Sequence, residues 1–160
     1  MMQAKELHAL LAEAEKLHQR HELSKAVGAD WYKPGQMEYL EQSNGVWEPE
    51  TGRLILRFES RGTRYNSRSE QIERLRIGDP ITLHRDPTNP YNPNNFLLLT
   101  KSGEDVGNLP AELCNVIAPL YGAGFLRFEH AEVSYVEPLS RRSRHARQAI
   151  LFVALTCRLG

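Results

Sequence analysis

Cysteine is scarce in this chain: Cys114 and Cys157 are the only two. Two thiols exclude a disulfide framework, and their spacing is not that of a metal site. Both sit among apolar residues and read as buried thiols. Long apolar runs are lacking too. None reaches the length that spans a bilayer, and the N-terminus has no signal-peptide hydrophobic core. These absences predict an intracellular, cytoplasmic protein with no membrane partner. Catalytic signatures are missing as well: there is no G-x-S-x-G, no Walker A loop and no H-E-x-x-H. His84, His130 and His145 stand isolated, and Asp79, Asp86 and Asp105 make no two-metal nuclease pattern. His8, His18 and His21 have no carboxylate or cysteine to complete a ligand set. The expectation is a protein without enzymatic activity, metal or cofactor. Lysine, finally, almost vanishes after residue 52, where Lys101 stands against fourteen arginines. Residues 1–52 carry 5 Lys/Arg against 9 Asp/Glu and residues 53–160 carry 15 against 11, so a formal charge of zero hides a basic C-terminal part. Arginine forks onto phosphates and stacks on bases better than lysine, which fits a nucleic-acid surface.

What is present reads as one domain with an appendage. A chain of 160 residues, 41% hydrophobic and 25% charged, buries a core without staples. Leu7, Leu10, Leu11, Ala14, Leu17 and His21 recur at helical spacing and predict an amphipathic helix over 3–26, stopped at Gly28. Residues 29–52 read as a connector or short hairpin, with Trp31, Tyr32, Tyr39 and Trp47 as anchors and Asn44-Gly45 as a turn signal. From residue 53 the period becomes two. Strands are predicted over 53–58, 81–85, 96–99, 106–109, 126–136 and 148–159. Ser67 and Glu70 have the spacing of a capping box for a short helix through Arg76. Pro110 opens a second helix with Leu113, Val116, Ile117 and Leu120 on one face, and Pro119 limits it to about two turns or kinks it. The predicted fold is mainly β with short helices, a small OB-like β-barrel over 53–160 behind an N-terminal helix over 1–28.

The segment 85–96, RDPTNPYNPNNF, holds three prolines and four asparagines in twelve positions. Proline fixes φ and removes a donor, and asparagine bonds its own backbone in turns. The segment is therefore a rigid polar loop, the kind of element on which binding residues are carried. Before it stand a G-x-R-Y turn (Gly62, Arg64, Tyr65) and a G-D-x-I-x-L strand start (Gly78, Asp79, Ile81, Leu83). After it comes V-G-x-L-P (Val106 to Pro110).

In that order and spacing these pieces resemble the HIRAN domain family, over about residues 54–158. The resemblance implies a modified OB-like barrel that holds single-stranded DNA, in particular a 3′ end. It implies that Arg64 contacts a phosphate, that Tyr65 and Tyr91 stack on bases or close a pocket, and that Asn89 bonds a terminal base or sugar edge. The chain also departs from the family pattern. Asn92 stands where the family has an Asp that accepts a hydrogen bond from the 3′-hydroxyl, and Asn95 replaces a small apolar residue. Asn108 and Ala111 stand where helicase-fused relatives carry basic residues. The late loop over 138–147 has no aromatic but carries Arg141, Arg142, Arg144, His145 and Arg147, which shifts the expected affinity from stacking toward electrostatics. The leading expectation is a non-catalytic module for single-stranded DNA and its 3′ ends, an accessory or recruiting factor in DNA repair or replication. A helicase or nuclease would be its protein partner, and residues 3–26 its tether or homodimer contact. A protein-interaction adaptor with weakened DNA binding is the alternative, and a nuclease a third.

Overall fold

The computed structural model describes residues 46–48 and 50–159. The helix expected over 3–26, its role as tether or dimer contact, and the Asn44-Gly45 turn lie outside the described residues. In chain order the elements are β1 (Val46–Glu48), β2 (Arg53–Glu59), α1 (Arg68–Ile72), β3 (Ile81–Arg85), β4 (Phe96–Thr100), β5 (Asp105–Asn108), α2 (Ala111–Gly122), β6 (Leu126–Glu137), a 3-10 turn (Leu139–Arg141) and β7 (Ile150–Leu159). The strands make two sheets, of order β1-β2-β7-β6 and β3-β4-β5.

The fold is mainly β with short helices, as its periodicity predicts, but the sheets do not close into a barrel. The described residues hold two isolated bridges outside the named strands, Arg61 with Asn108 and Pro80 with Glu132. Both stop after one pair for local reasons. Gly62, at φ 72, turns the chain directly after Arg61, and Pro80 has no N–H to extend a ladder.

The chain divides into two compact units. One comprises, of the described residues, those up to Leu56, Ala111–Glu129 and 156–159. In it β1 pairs antiparallel with β2, Val46 opposite Ile55. Thr51 and Gly52 donate their N–H groups to Glu48 O at 3.2 and 2.9 Å, closing the turn between the strands. Leu113, Val116, Ile117 and Leu120 of α2 are buried as one face. Pro119 does not end this helix, which runs 12 residues to Gly122. The apolar face continues past the proline to Leu120, and that burial sustains the last turn against one lost hydrogen bond. Glu129 is ion-paired with both Arg53 and Arg158. The hydrogen bond from Arg158, more than any other influence, holds its carboxyl below the usual range. Cys114 and Cys157 are free, buried thiols. Burial, followed by the charge of Glu129, pushes the Cys157 thiol up to about 12.

The other unit comprises Arg57–Pro110 and His130–Leu155. Its core is Phe58, Ile72, Leu75, Ile81, Leu83, Phe96, Leu98, Val106, Leu109, Val133, Leu151, Val153 and Leu155. These positions alternate along β3, β4 and β7, the period-two signature of half-buried strands. β3 and β4 form a regular hairpin, Ile81 opposite Thr100 and Arg85 opposite Phe96. The β4–β5 pairing slips by one residue between Leu97 and Leu99. The predicted capping box is not formed. Ser67 has φ 59, in the left-handed region, and its side chain makes no cap bond. A capping residue needs extended φ and ψ, and the turn ahead of α1 takes that conformation away.

Candidate nucleic-acid interface

Three segments of the Arg57–Pro110 stretch meet around one cleft, and each is fixed by its own backbone. The first is the turn that leaves β2. Arg61 exchanges both backbone hydrogen bonds with Asn108, at 3.0 and 2.9 Å. Tyr65 N–H donates to Gly62 O at 3.1 Å, and Arg68 N–H donates to Tyr65 O at 3.0 Å. The base of the turn is pinned by Thr63 Oγ1, which donates to Ala149 O at 2.8 Å, and by Ser69 Oγ, which donates to Thr63 O at 2.7 Å. Asn66 and Ser67, at φ 56 and 59, are consecutive non-glycine residues in the left-handed region. Such conformations cost about 1–3 kcal/mol each and persist where the surroundings over-determine them.

The second segment is the Pro/Asn loop between β3 and β4. Asn89 organises it. Its Oδ1 accepts the N–H groups of Tyr91 and Asn92 at 2.9 and 3.0 Å, and its Nδ2 donates to Asp86 Oδ2 at 3.0 Å. Asn92 repeats the device, its Oδ1 accepting Asn94 N–H at 3.0 Å. Arg85 closes the base, donating to Asn95 O and Pro93 O, both at 2.9 Å. Tyr91 is thereby held by its backbone while its side chain is 94% exposed.

The third segment is β5. Asn108 Oδ1 accepts from Asn95 Nδ2 at 2.9 Å, and Asn95 Nδ2 also donates to Asp86 Oδ2 at 3.2 Å. Arg68, only 5% exposed, joins β5 to the turn. Its Nε and Nη2 donate to the two oxygens of Asp105 at 2.9 and 3.0 Å, and its Nη1 donates to Gly62 O at 3.1 Å. A forked pair of this kind adds geometry to charge. Gly62 leaves the necessary room, since a Cβ there would stand 2.8 Å from Arg68 Nη1.

Gly62, Tyr65, Asn66, Arg68, Asn89, Tyr91 and Asn108 line a cleft of about 540 Å³. Of the expected site residues the structure thus gathers Tyr65, Asn89, Tyr91 and Asn108. Arg64 is exposed, with its guanidinium 5.3 Å from the Tyr65 ring centroid, and does not line the cleft. Neither does Asn92. Arg141, Arg142 and Arg144 belong to the segment between β6 and β7 and do not line the cleft either. Arg141 and Arg144 are exposed, whereas Arg142 donates to Gln148 O at 2.6 Å and pairs with Glu137 at 3.5 Å. The Tyr135 hydroxyl also donates to Glu137, and that bond holds the phenol above its ordinary value. Sequence reasoning missed Arg68 and Asn66. Arg68 was hidden by the reading of its neighbour Ser67 as a helix cap. A basic residue between two serines carries no local signal of burial. Among the described residues no group of three or more His, Cys, Asp or Glu is placed to hold a metal ion. No helix there is long and apolar enough to cross a membrane.

No curated protein matches this chain. Two solved structures are similar to it. The HIRAN domain of human HLTF aligns with 21% identity over 65% of this chain and 76% of that one, at a TM-score of 0.47. A protein from Lactobacillus plantarum aligns with 18% identity over 66% of this chain and 98% of that one, at a TM-score of 0.49. The family model described as the HIRAN domain matches residues 55–149, more than half of the chain and all of the segments that build the cleft. The chain therefore belongs to the HIRAN domain family.

Proposed function

We propose that this protein is a non-catalytic module that binds single-stranded DNA and receives a strand's 3′ end in the cleft between the Gly62 turn and the Pro/Asn loop. HIRAN domains are in general DNA-binding modules. The observation that carries the finer reading is the pair of tyrosines: Tyr65 and Tyr91 are 58% and 94% exposed and both line one polar cleft. Exposed aromatic rings held by bonded backbone are stacking platforms, each base being worth about 1–3 kcal/mol. Arg64, beside the Tyr65 ring, and the exposed Arg141 and Arg144 supply phosphate contacts. Asn89 acts by shape, because its oxygen is committed to two backbone N–H groups. In this reading the protein serves DNA repair or replication as an accessory or recruiting factor. A helicase or nuclease is the protein partner, and residues 3–26 provide the tether or self-association.

Titrating duplexes with a single-stranded 3′ tail or 5′ tail, followed by fluorescence anisotropy, tests the proposal. We expect the 3′ tail to bind at least about tenfold tighter, or roughly 1.4 kcal/mol. Equal affinities sink end recognition, and binding of neither sinks the DNA reading. A protein-interaction adaptor is the second reading. It is favoured by the neutralisation of Arg68 by Asp105 and of Arg142 by Glu137, and it predicts that neither duplex binds at physiological salt.

A further inference from the structure

Arg68 is a buried cation at a cleft that has no use for it as a phosphate hook, since both oxygens of Asp105 take its fork. We propose instead that Arg68 is the positioning residue of the cleft, orienting the Asn108 carboxamide so that its Nδ2 donates to an acceptor on the bound terminal nucleotide. This rests on the DNA-end reading above and assigns a role within it.

The orientation follows from hydrogen-bond chemistry. One side-chain atom of Asn108 faces two donors, Asn95 Nδ2 at 2.9 Å and Arg68 Nη2 at 3.5 Å. An amide nitrogen in that place would set N–H against N–H, so the atom is the oxygen. The nitrogen is then directed elsewhere on a residue that lines the cleft. A Cβ at Gly62 would stand 3.1 Å from Asn108 Nδ2, so the nitrogen lies on the Gly62 side. Arg68 Nη1 donates to Gly62 O on that same side. Arg68 and Asn95 together fix the direction of the Asn108 donor, and Arg68 also holds the turn that carries Tyr65. The ligand group it selects is an acceptor, namely a sugar oxygen, a base carbonyl or a ring nitrogen.

The test uses the full chain, the two tailed duplexes, and the variants Arg68→Lys, Asn95→Ala and Arg68→Met. Lysine keeps the charge but not the fork, and Asn95→Ala removes the other donor that orients Asn108. We expect Arg68→Lys and Asn95→Ala each to lose about tenfold in affinity for the 3′ tail, the scale of a hydrogen bond tied to a charged group. Binding of the 5′ tail should change less than about twofold. The dependence of affinity on salt should stay that of the parent in Arg68→Met. A retained 3′ preference in Arg68→Lys and Asn95→Ala overturns the inference. So does an equal loss on both duplexes, which marks a merely structural role. A salt slope reduced by about 0.7 in Arg68→Met makes Arg68 a phosphate contact and overturns it as well. If Arg68→Met does not fold, the other two variants decide. A parent protein without 3′ preference fails the end-binding reading and takes this inference with it, whereas a parent with the preference and indifferent variants fails this inference alone.

Discussion

Tyr91 is anchored without being packed: its N–H is bonded to Asn89 Oδ1 at 2.9 Å while its side chain is 94% exposed. Replacing it by alanine should leave folding stability within about 0.5 kcal/mol, as for surface positions generally. Binding of a single strand should weaken by about 1–3 kcal/mol. Urea denaturation and anisotropy on the same preparation check both halves, and a large loss of stability would make Tyr91 a structural residue. Asn89→Ala is the counterpart. It removes the acceptor of two loop N–H groups, so it should cost stability as well as affinity. Asn92 has a different standing from the one its motif suggests. Its oxygen accepts Asn94 N–H at 3.0 Å, and it does not line the cleft. No carboxylate lines the cleft, and those of Asp86 and Asp105 are occupied by amide and guanidinium donors. Asp105 is neutralised by Arg68, and Asp86 keeps its charge behind the amides of Asn89 and Asn95 and outside the cleft lining, so we expect less than about tenfold preference for a 3′-hydroxyl over a 3′-phosphate, about 1.4 kcal/mol. Paired anisotropy titrations decide, and a larger preference would place a free carboxylate within reach of the end.

Among the elements, β5 leaves no room at its glycine. Gly107 has φ 132, and a Cβ there would stand 2.9 Å from Arg61 O, 3.2 Å from Ser60 Cβ and closer still to Ser60 Oγ. That hydroxyl donates to Val106 O at 2.9 Å. Gly107→Ala should therefore destabilise the protein by about 3 kcal/mol, combining strain and overpacking. Equilibrium denaturation measures it, and a cost under about 1 kcal/mol would mean that the close approach relaxes freely. β7 carries a pH dependence of its own. The Cys157 thiol sits at about 12 in the folded protein, against about 8.5 in an unfolded chain. A raised folded value stabilises fully below the unfolded one and is lost as pH rises. Stability should thus decline from about pH 8.5 upward, and Cys157→Ala should flatten that decline in urea titrations between pH 8 and 10.5. The elements also show where pattern reading reaches its limit. Strands β2, β3, β4 and β7 were legible because burial alternates along them, and β6 because it does so around Ala131 and Val133. The length of α2 was not, because Pro119 carries a local cost while the buried face beyond it is a tertiary gain.

Across the molecule, the turn, the Pro/Asn loop and their meeting with β5 were legible because prolines, asparagines and glycines state backbone geometry directly. The closure of the sheets was not legible, because it depends on whether single bridges at Arg61 and Pro80 grow into ladders. Arg68 escaped notice for a related reason: the partners that bury it, Asp105 and Asn108, are 37 and 40 residues away. The basic loop before β7 was legible as a charge cluster but not as one already divided, with Arg142 tied to Glu137 and Gln148 while Arg141 and Arg144 stay exposed. Neutralising Arg141 and Arg144 together should flatten the salt dependence of single-strand binding by about 1.4 in slope, and Arg142→Ala should flatten it less. Equal effects of all three would return the loop to undifferentiated surface. The internal pairing of Arg68 with Asp105 has one more consequence, and it concerns time rather than affinity. Unpaired surface arginines act at a distance and hasten encounter, whereas a cleft whose one cation is neutralised acts only after contact. Added salt should slow the arrival of a strand and leave its departure nearly unchanged, while changes at Tyr65, Tyr91 or Asn108 should shorten the stay of a strand that arrives as fast as before.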